Sequence, residues 1–393
     1  MINRWDDVDE GEYLSRYDGR PGKIDGDLLR MAYATTLLGA ENDLTMHGGG
    51  NTSVKKIVVD NSGNERRALY VKASGTPLNL FTPDYFVAMD LDFLEGIRGS
   101  GGIDDEVMAR EFKSHQLVPG DRLPSIESLM HSFIPAKLVA HTHPVAILKI
   151  VNRVNGRDLL KECFGDYLAV IPYARMGYDL AQAVSEAARL NAGCAGVVIA
   201  HHGLIVWGDG ARAVYDLTIG LINKAEKFLS AKITRSITPG AAVSAAESSK
   251  NYELIAKPIR ESIPANKTSM ILLNTPDVLE LINSPEGKEI ITNPPMTPDY
   301  PMYSRILPVW VDDGITDVHL SGPSPLAIIH PPVGIICLGP TPAVAGQTAD
   351  FVRQALSIRR VIYETGGDYE SLPERYIFDM QYRGYQQAKK RGA

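Results

Sequence analysis

Cysteine is scarce in this chain. Three among 393 residues, Cys163, Cys194 and Cys337, stand far apart with no paired spacing. That distribution argues against a disulfide framework or a thiolate metal site. It suits buried thiols in a reducing cytoplasm, the location expected. Also missing is any apolar run approaching the length of a membrane span, so no membrane partner is expected. The opening stretch, Met1-Ile2-Asn3-Arg4-Trp5-Asp6-Asp7, lacks the apolar core of a signal peptide. Nor is there an excess of positive charge. The formal net charge of −7 argues against nucleic acid as a partner.

What the chain does have is histidine in pairs. Lys137-Leu138-Val139-Ala140 reads as a buried strand, and Ala140-His141-Thr142-His143-Pro144 follows it. Alternate strand residues share a face, so His141 and His143 point the same way, and Pro144 marks the exit from the strand. A second apolar run, Gly196-Val197-Val198-Ile199, leads into Ala200-His201-His202-Gly203. Neutral imidazole is the commonest metal ligand, and catalytic zinc typically takes three protein ligands with one open position. Adjacent residues on extended backbone point opposite ways, so one of His201 and His202 should join the first pair, with His202 preferred.

Two glycine turns flank an expected hairpin. A helix over 24–39 runs into Met46-His47-Gly48-Gly49-Gly50-Asn51-Thr52-Ser53. Strands are expected at 56–60 and 68–72, joined by the turn Asn61-Ser62-Gly63-Asn64. The second strand delivers Lys72-Ala73-Ser74-Gly75-Thr76. Glycines that turn backbone N–H groups toward one point suit an anion. Further on, Ser125 reads as the N-cap of a helix beginning at Ile126. Glu127 then lies in its first turn, where a carboxylate complements the dipole. His131 reads as a helix-face histidine. Strands and helices alternate from there to about residue 233, which argues an α/β layer architecture. After a turn-rich stretch over 236–246, a smaller α/β unit is expected over 250–393. Its clearest parts are a strand at 333–339 and a helix over 342–364. The catalytic unit is accordingly taken as 1–238.

His-Gly-Gly-Gly-Asn-Thr-Ser, Lys-Ala-Ser-Gly, Pro-Ser-Ile-Glu, His-Thr-His-Pro and His-His-Gly-Leu-Ile-Val-Trp-Gly occur here in that order. In these motifs the chain resembles the class II aldolase/adducin family, most of all the aldolase part of fused rhamnulose-1-phosphate aldolase/dehydrogenase proteins. The resemblance implies a three-layer α/β/α domain and a divalent metal on His141, His143 and His202, usually zinc, with manganese or another cation as the alternative. It implies Glu127 as the acid/base residue, and Asn51, Ser74, Gly75 and Ser125 as the binding site for a substrate phosphate. It also implies a homotetramer acting on a sugar phosphate. Where the family often has Ser-Ser-Glu, this chain has Ile126 before the glutamate, so one phosphate hydroxyl is missing. The expected reaction is retro-aldol cleavage of a phosphorylated ketose through an enediolate. The same equipment serves 4-epimerisation, dehydration or decarboxylation, and an adducin-like binding module is the non-catalytic alternative. The Gly366-Gly367 region has no Gly-x-Gly-x-x-Gly fingerprint, so hydride transfer is not expected.

Overall fold

The computed structural model describes residues 1–18, 24–60, 62–262, 268–304, 308–312 and 327–380. It divides into two compact units, Met1–Leu148 with Arg157–Phe228, and Lys149–Gly156 with Leu229–Ala393.

The first unit is built on strands β1 (Asn51–Val59), β2 (Glu65–Lys72), β3 (Phe86–Asp90), β4 (Leu138–Thr142), β5 (Leu168–Ile171), β6 (Gly196–Ile199) and β7 (Gly203–Gly208). Their order in the sheet is β3-β2-β1-β4-β7-β6-β5. Every neighbouring pair is antiparallel except β5 with β6. The expected hairpin is there but longer, because β1 already starts at Asn51 and β2 at Glu65. Asn61, the first residue of the expected turn, lies outside the described residues. Gly63 takes a φ of 82°, which a side chain would resist.

Helices cover both faces of this sheet. Leu69, Val71, Val139, Val197 and Ile205 form one core with Leu129 and Phe133 from the helix Ser128–Phe133 and Leu180 and Val184 from the helix Tyr178–Leu190. Fully burying such a side chain contributes roughly 1.5–3 kcal/mol. On the opposite face, Thr52 of β1 meets Thr35 of the helix Gly26–Gly39, hydroxyl to hydroxyl at 2.6 Å, with both side chains buried. The result is the three-layer α/β/α arrangement.

In the second unit, strands β8 (Ser269–Leu273), β9 (Val309–Trp310), β10 (Ala327–His330) and β11 (Gly334–Gly339) form a sheet in the order β8-β11-β10-β9. The helix Pro342–Glu364 starts at its expected residue, capped by the Thr341 side chain. Ile255, Ile259, Ile328, Val333 and Ile336 are buried together. Among the described residues, no helix is long and apolar enough to cross a membrane.

Candidate metal centre

Antiparallel pairing assembles the site. Asn51 at the start of β1 pairs with His141 near the end of β4, and Thr142 pairs with Leu204 near the start of β7. Three segments far apart in sequence therefore bring their ends to one edge of the sheet. His143 lies one residue beyond β4, and His202 one residue before β7. His201 is not extended as expected; its φ of 62° places it in the β6–β7 turn. His202 still converges on the pair, because the turn rather than strand alternation aims it. A side chain at Gly203 would put its Cβ 2.3 Å from the Thr142 carbonyl and 3.0 Å from the His143 ring. Only glycine lets the strands close this tightly around the imidazoles.

The three rings are buried and aim their Nε2 atoms at one point. His141 Nε2 is 3.0 Å from His143 Nε2 and 3.3 Å from His202 Nε2. All three ligand atoms lie within 4.8 Å of one another. A carbonyl oxygen only accepts, so His141 Nδ1–H donates to Leu204 O at 3.1 Å, leaving the Nε2 lone pair facing inward. Burial, then proximity to His141 and His143, holds His202 well below the usual histidine range, in the neutral form that ligates. A tetrahedral zinc with bonds of about 2.0–2.1 Å sets its nitrogens roughly 3.3 Å apart. The cradle fits a small divalent cation.

Glu127 completes this edge. Its Oε1 lies 3.4 Å from His202 Nε2 and its Oε2 3.6 Å from His141 Nε2. The residue is 5% exposed, yet Oε1 has no hydrogen-bond partner among the described residues. An unsatisfied buried carboxylate oxygen is costly, and a cation or a substrate proton at this point would relieve it. The expected helix start is corrected here. The helix begins at Ser128, and Glu127 precedes it with φ −88° and ψ 11° and makes no capping bond. Backbone pairing explains the delay: Ser125 N donates to Lys72 O and Pro124 bridges Ala73, so 124–127 is held as a turn.

Strand β1 grips this helix at three points. Asn51 Nδ2 donates to Glu127 Oε2 at 2.6 Å, Ser53 Oγ lies 2.7 Å from His131 Nδ1, and Lys55 Nζ donates to Ser132 O at 3.0 Å and also to Ile134 O. Two strand residues advance about 6.6 Å and one helical turn of four residues about 6 Å. Residues 51, 53 and 55 therefore keep step with 127, 131 and the helix end. Ser125 Oγ accepts from Asn51 Nδ2 at 3.2 Å and from the Glu127 N–H.

The two glycine turns are joined by Lys72. Its buried ammonium donates to Thr76 O at 2.7 Å and to Gly48 O at 3.2 Å, one carbonyl from each turn. Burial lowers its pKa to about 8, against the opposing pull of Glu127. Ser74 and Gly75 lie in the second turn, where Gly75 has a φ of 72° and Ser74 N donates to Leu123 O. Asn51 and Ser125 thus share a cluster with Glu127, whereas Ser74 and Gly75 lie beside it, nearer the surface. Lys72, Ser53 and His131 were not among the expected site residues. A lysine directly before a glycine turn was the one available signal.

Comparison with known proteins identifies the family. Residues 30–229 match the Class II Aldolase and Adducin N-terminal domain, and residues 313–389 match the second domain of class II aldolases. The chain belongs to the class II aldolase/adducin family. The solved N-terminal class II aldolase domain of a conserved protein from Thermoplasma acidophilum is 32% identical with a TM-score of 0.50, over 58% of this chain and 99% of that one. A Bacillus subtilis (strain 168) protein named uncharacterized oxidoreductase YuxG is 25% identical over 92% of this chain. The present chain spans only 58% of that relative's length. The L-fuculose-1-phosphate aldolase of Thermus thermophilus is 20% identical with a TM-score of 0.33, covering 52% of this chain and 95% of its own. That likeness is too distant to carry function across.

Proposed function

We propose that this protein is a metal-dependent aldolase that cleaves a phosphorylated ketose by retro-aldol chemistry. The observation that carries this reading is Glu127, whose carboxylate is aimed at the point where three imidazole lone pairs converge. His141, His143 and His202 would hold the metal, with zinc as the ion. The chemistry a divalent cation supplies in such a cradle is Lewis acidity toward the charge that collects on oxygen as the carbon–carbon bond breaks.

The residues then divide the work. When the bond breaks, its electron pair stays with the phosphorylated fragment as an enediolate. The hydroxyl on the departing carbon gives its proton to the Glu127 carboxylate and becomes an aldehyde. Glu127 returns a proton to the enediolate carbon, giving dihydroxyacetone phosphate. The backbone turns at Gly48–Gly50 and Ser74–Gly75, joined by Lys72, would receive the phosphate, with Ser125 beside them. Burial of Glu127 and the histidines excludes water from the proton's path. The family likeness alone suggests a homotetramer and the scattered cysteines a cytoplasmic location, and a monomer by light scattering at working concentration would remove the tetramer.

The test is a panel of ketose 1-phosphates offered to zinc-loaded protein, with release of dihydroxyacetone phosphate as the readout. Release from at least one member is expected. Turnover without cleavage would point to 4-epimerisation or dehydration. Tight metal with no turnover of any kind would favour a binding module.

A further inference from the structure

His131 is neither in the metal cradle nor part of the proton transfer described above, yet its side chain is completely buried. Both ring nitrogens are engaged: Nδ1 lies 2.7 Å from Ser53 Oγ, and Nε2 is hydrogen-bonded to Asn51 Oδ1. The other end of the Asn51 amide touches Glu127 Oε2 at 2.6 Å.

The donors and acceptors in this chain have one consistent order. A carboxylate oxygen at 2.6 Å requires a donor, so the Asn51 nitrogen faces Glu127 and its carbonyl oxygen faces His131. A carbonyl only accepts, so His131 Nε2 carries the hydrogen. In a neutral ring Nδ1 then has the lone pair, and the Ser53 hydroxyl donates to it. Burial first, then His141 and Lys55, keeps the ring neutral, well below the usual histidine range.

We infer that His131, set by Ser53, is a positioning residue that fixes the Asn51 amide with its NH2 toward Glu127. The amide torsion of an asparagine is broad and nearly two-fold, so nothing in Asn51 itself selects this orientation. The turned-over amide would set two acceptors against each other. Holding Glu127 through Oε2 leaves Oε1 directed at the convergence point of the imidazoles. The function given to His131 rests on the reading of Glu127 as the acid/base residue; the direction of the chain does not.

Two measurements test it. The first is the ring-nitrogen NMR spectrum of the full-length protein carrying 15N-labelled histidine, with and without zinc. One neutral ring in the Nε2–H form, unchanged by zinc and missing from His131→Gln, is expected. A His131 ring in the Nδ1–H form, or doubly protonated at neutral pH, overturns the inference, and this holds even if a variant fails to fold. The second is deuterium uptake by dihydroxyacetone phosphate in D2O with zinc-loaded protein. His131→Phe removes the donor to Asn51 and should slow exchange about 10–100-fold at unchanged zinc content and phosphate affinity. His131→Gln keeps an N–H donor and should recover most of that rate. Equal losses in both variants, or a loss seen only as weaker binding, contradict a positioning role. No exchange by the unsubstituted protein overturns the aldolase reading itself, and the ring spectrum then decides the orientation of Asn51 alone.

Discussion

Asn51 Nδ2 stands 2.6 Å from Glu127 Oε2, although 76 residues separate the two in the chain. The first residue of β1 thereby holds the carboxylate proposed to move the proton, and both ends of its amide are taken up inside the cluster. A role for Asn51 at the phosphate and a role at Glu127 predict different kinetics.

Asn51→Ala should lower kcat and leave KM for the ketose phosphate nearly unchanged. A hydrogen bond to a charged group is worth about 1.5–3 kcal/mol, which corresponds to roughly 10–100-fold in rate. Steady-state kinetics on the substrate found by the panel decides it. A raised KM with kcat intact would return Asn51 to the phosphate.

His141→Ala should lose stoichiometric zinc while the chain stays folded. The ring is fully buried and its Nε2 is within 3.3 Å of both other ligand nitrogens. Removing it leaves two ligands where catalytic zinc needs three. Metal analysis with a melting curve measures both outcomes, and retention of one zinc per chain would count against the cradle.

Lys72 carries a pH signature. Its pKa falls from 10.5 to about 8 on folding, because the ammonium is buried. Below about pH 8 both states are protonated and the cost of burying the charge is fully present. Between about 8 and 10.5 the unfolded chain binds more protons, so this group's contribution to stability rises with pH. Lys72→Met lacks the titration. The melting temperature of the unsubstituted protein relative to this variant should therefore rise between about pH 8 and 10, and a constant difference would show that the ammonium is not desolvated.

Local patterns in the chain announced much of this architecture. Apolar runs ending at histidine or glycine marked β4, β6 and β11, and the helix Pro342–Glu364 was bounded by Pro342 at one end and Gly366 just past the other. The histidine pairs stood out because each follows an apolar run, whereas Glu127 read only as a helix-start charge and its expected role came from the family resemblance. Register was not. Whether β4 lies antiparallel between β1 and β7 depends on partners up to about ninety residues away, and that pairing alone brings Asn51, His141 and Ile205 into line. The role of His131 was hidden for the same reason: it follows from β1 and the helix keeping step, which neither segment reveals by itself. The helix start was misplaced at Ile126 because the Ser125 N–H is held by Lys72 O, a contact from another strand.

The most direct test of the account is the cleavage rate of Glu127→Gln at full zinc occupancy. The amide has nearly the shape of the carboxylate but takes no proton at neutral pH, and general acid/base catalysis is typically worth ~10²–10⁴-fold. The account predicts a loss of that size in kcat, with zinc content and substrate affinity retained. Full cleavage activity in this variant would contradict it.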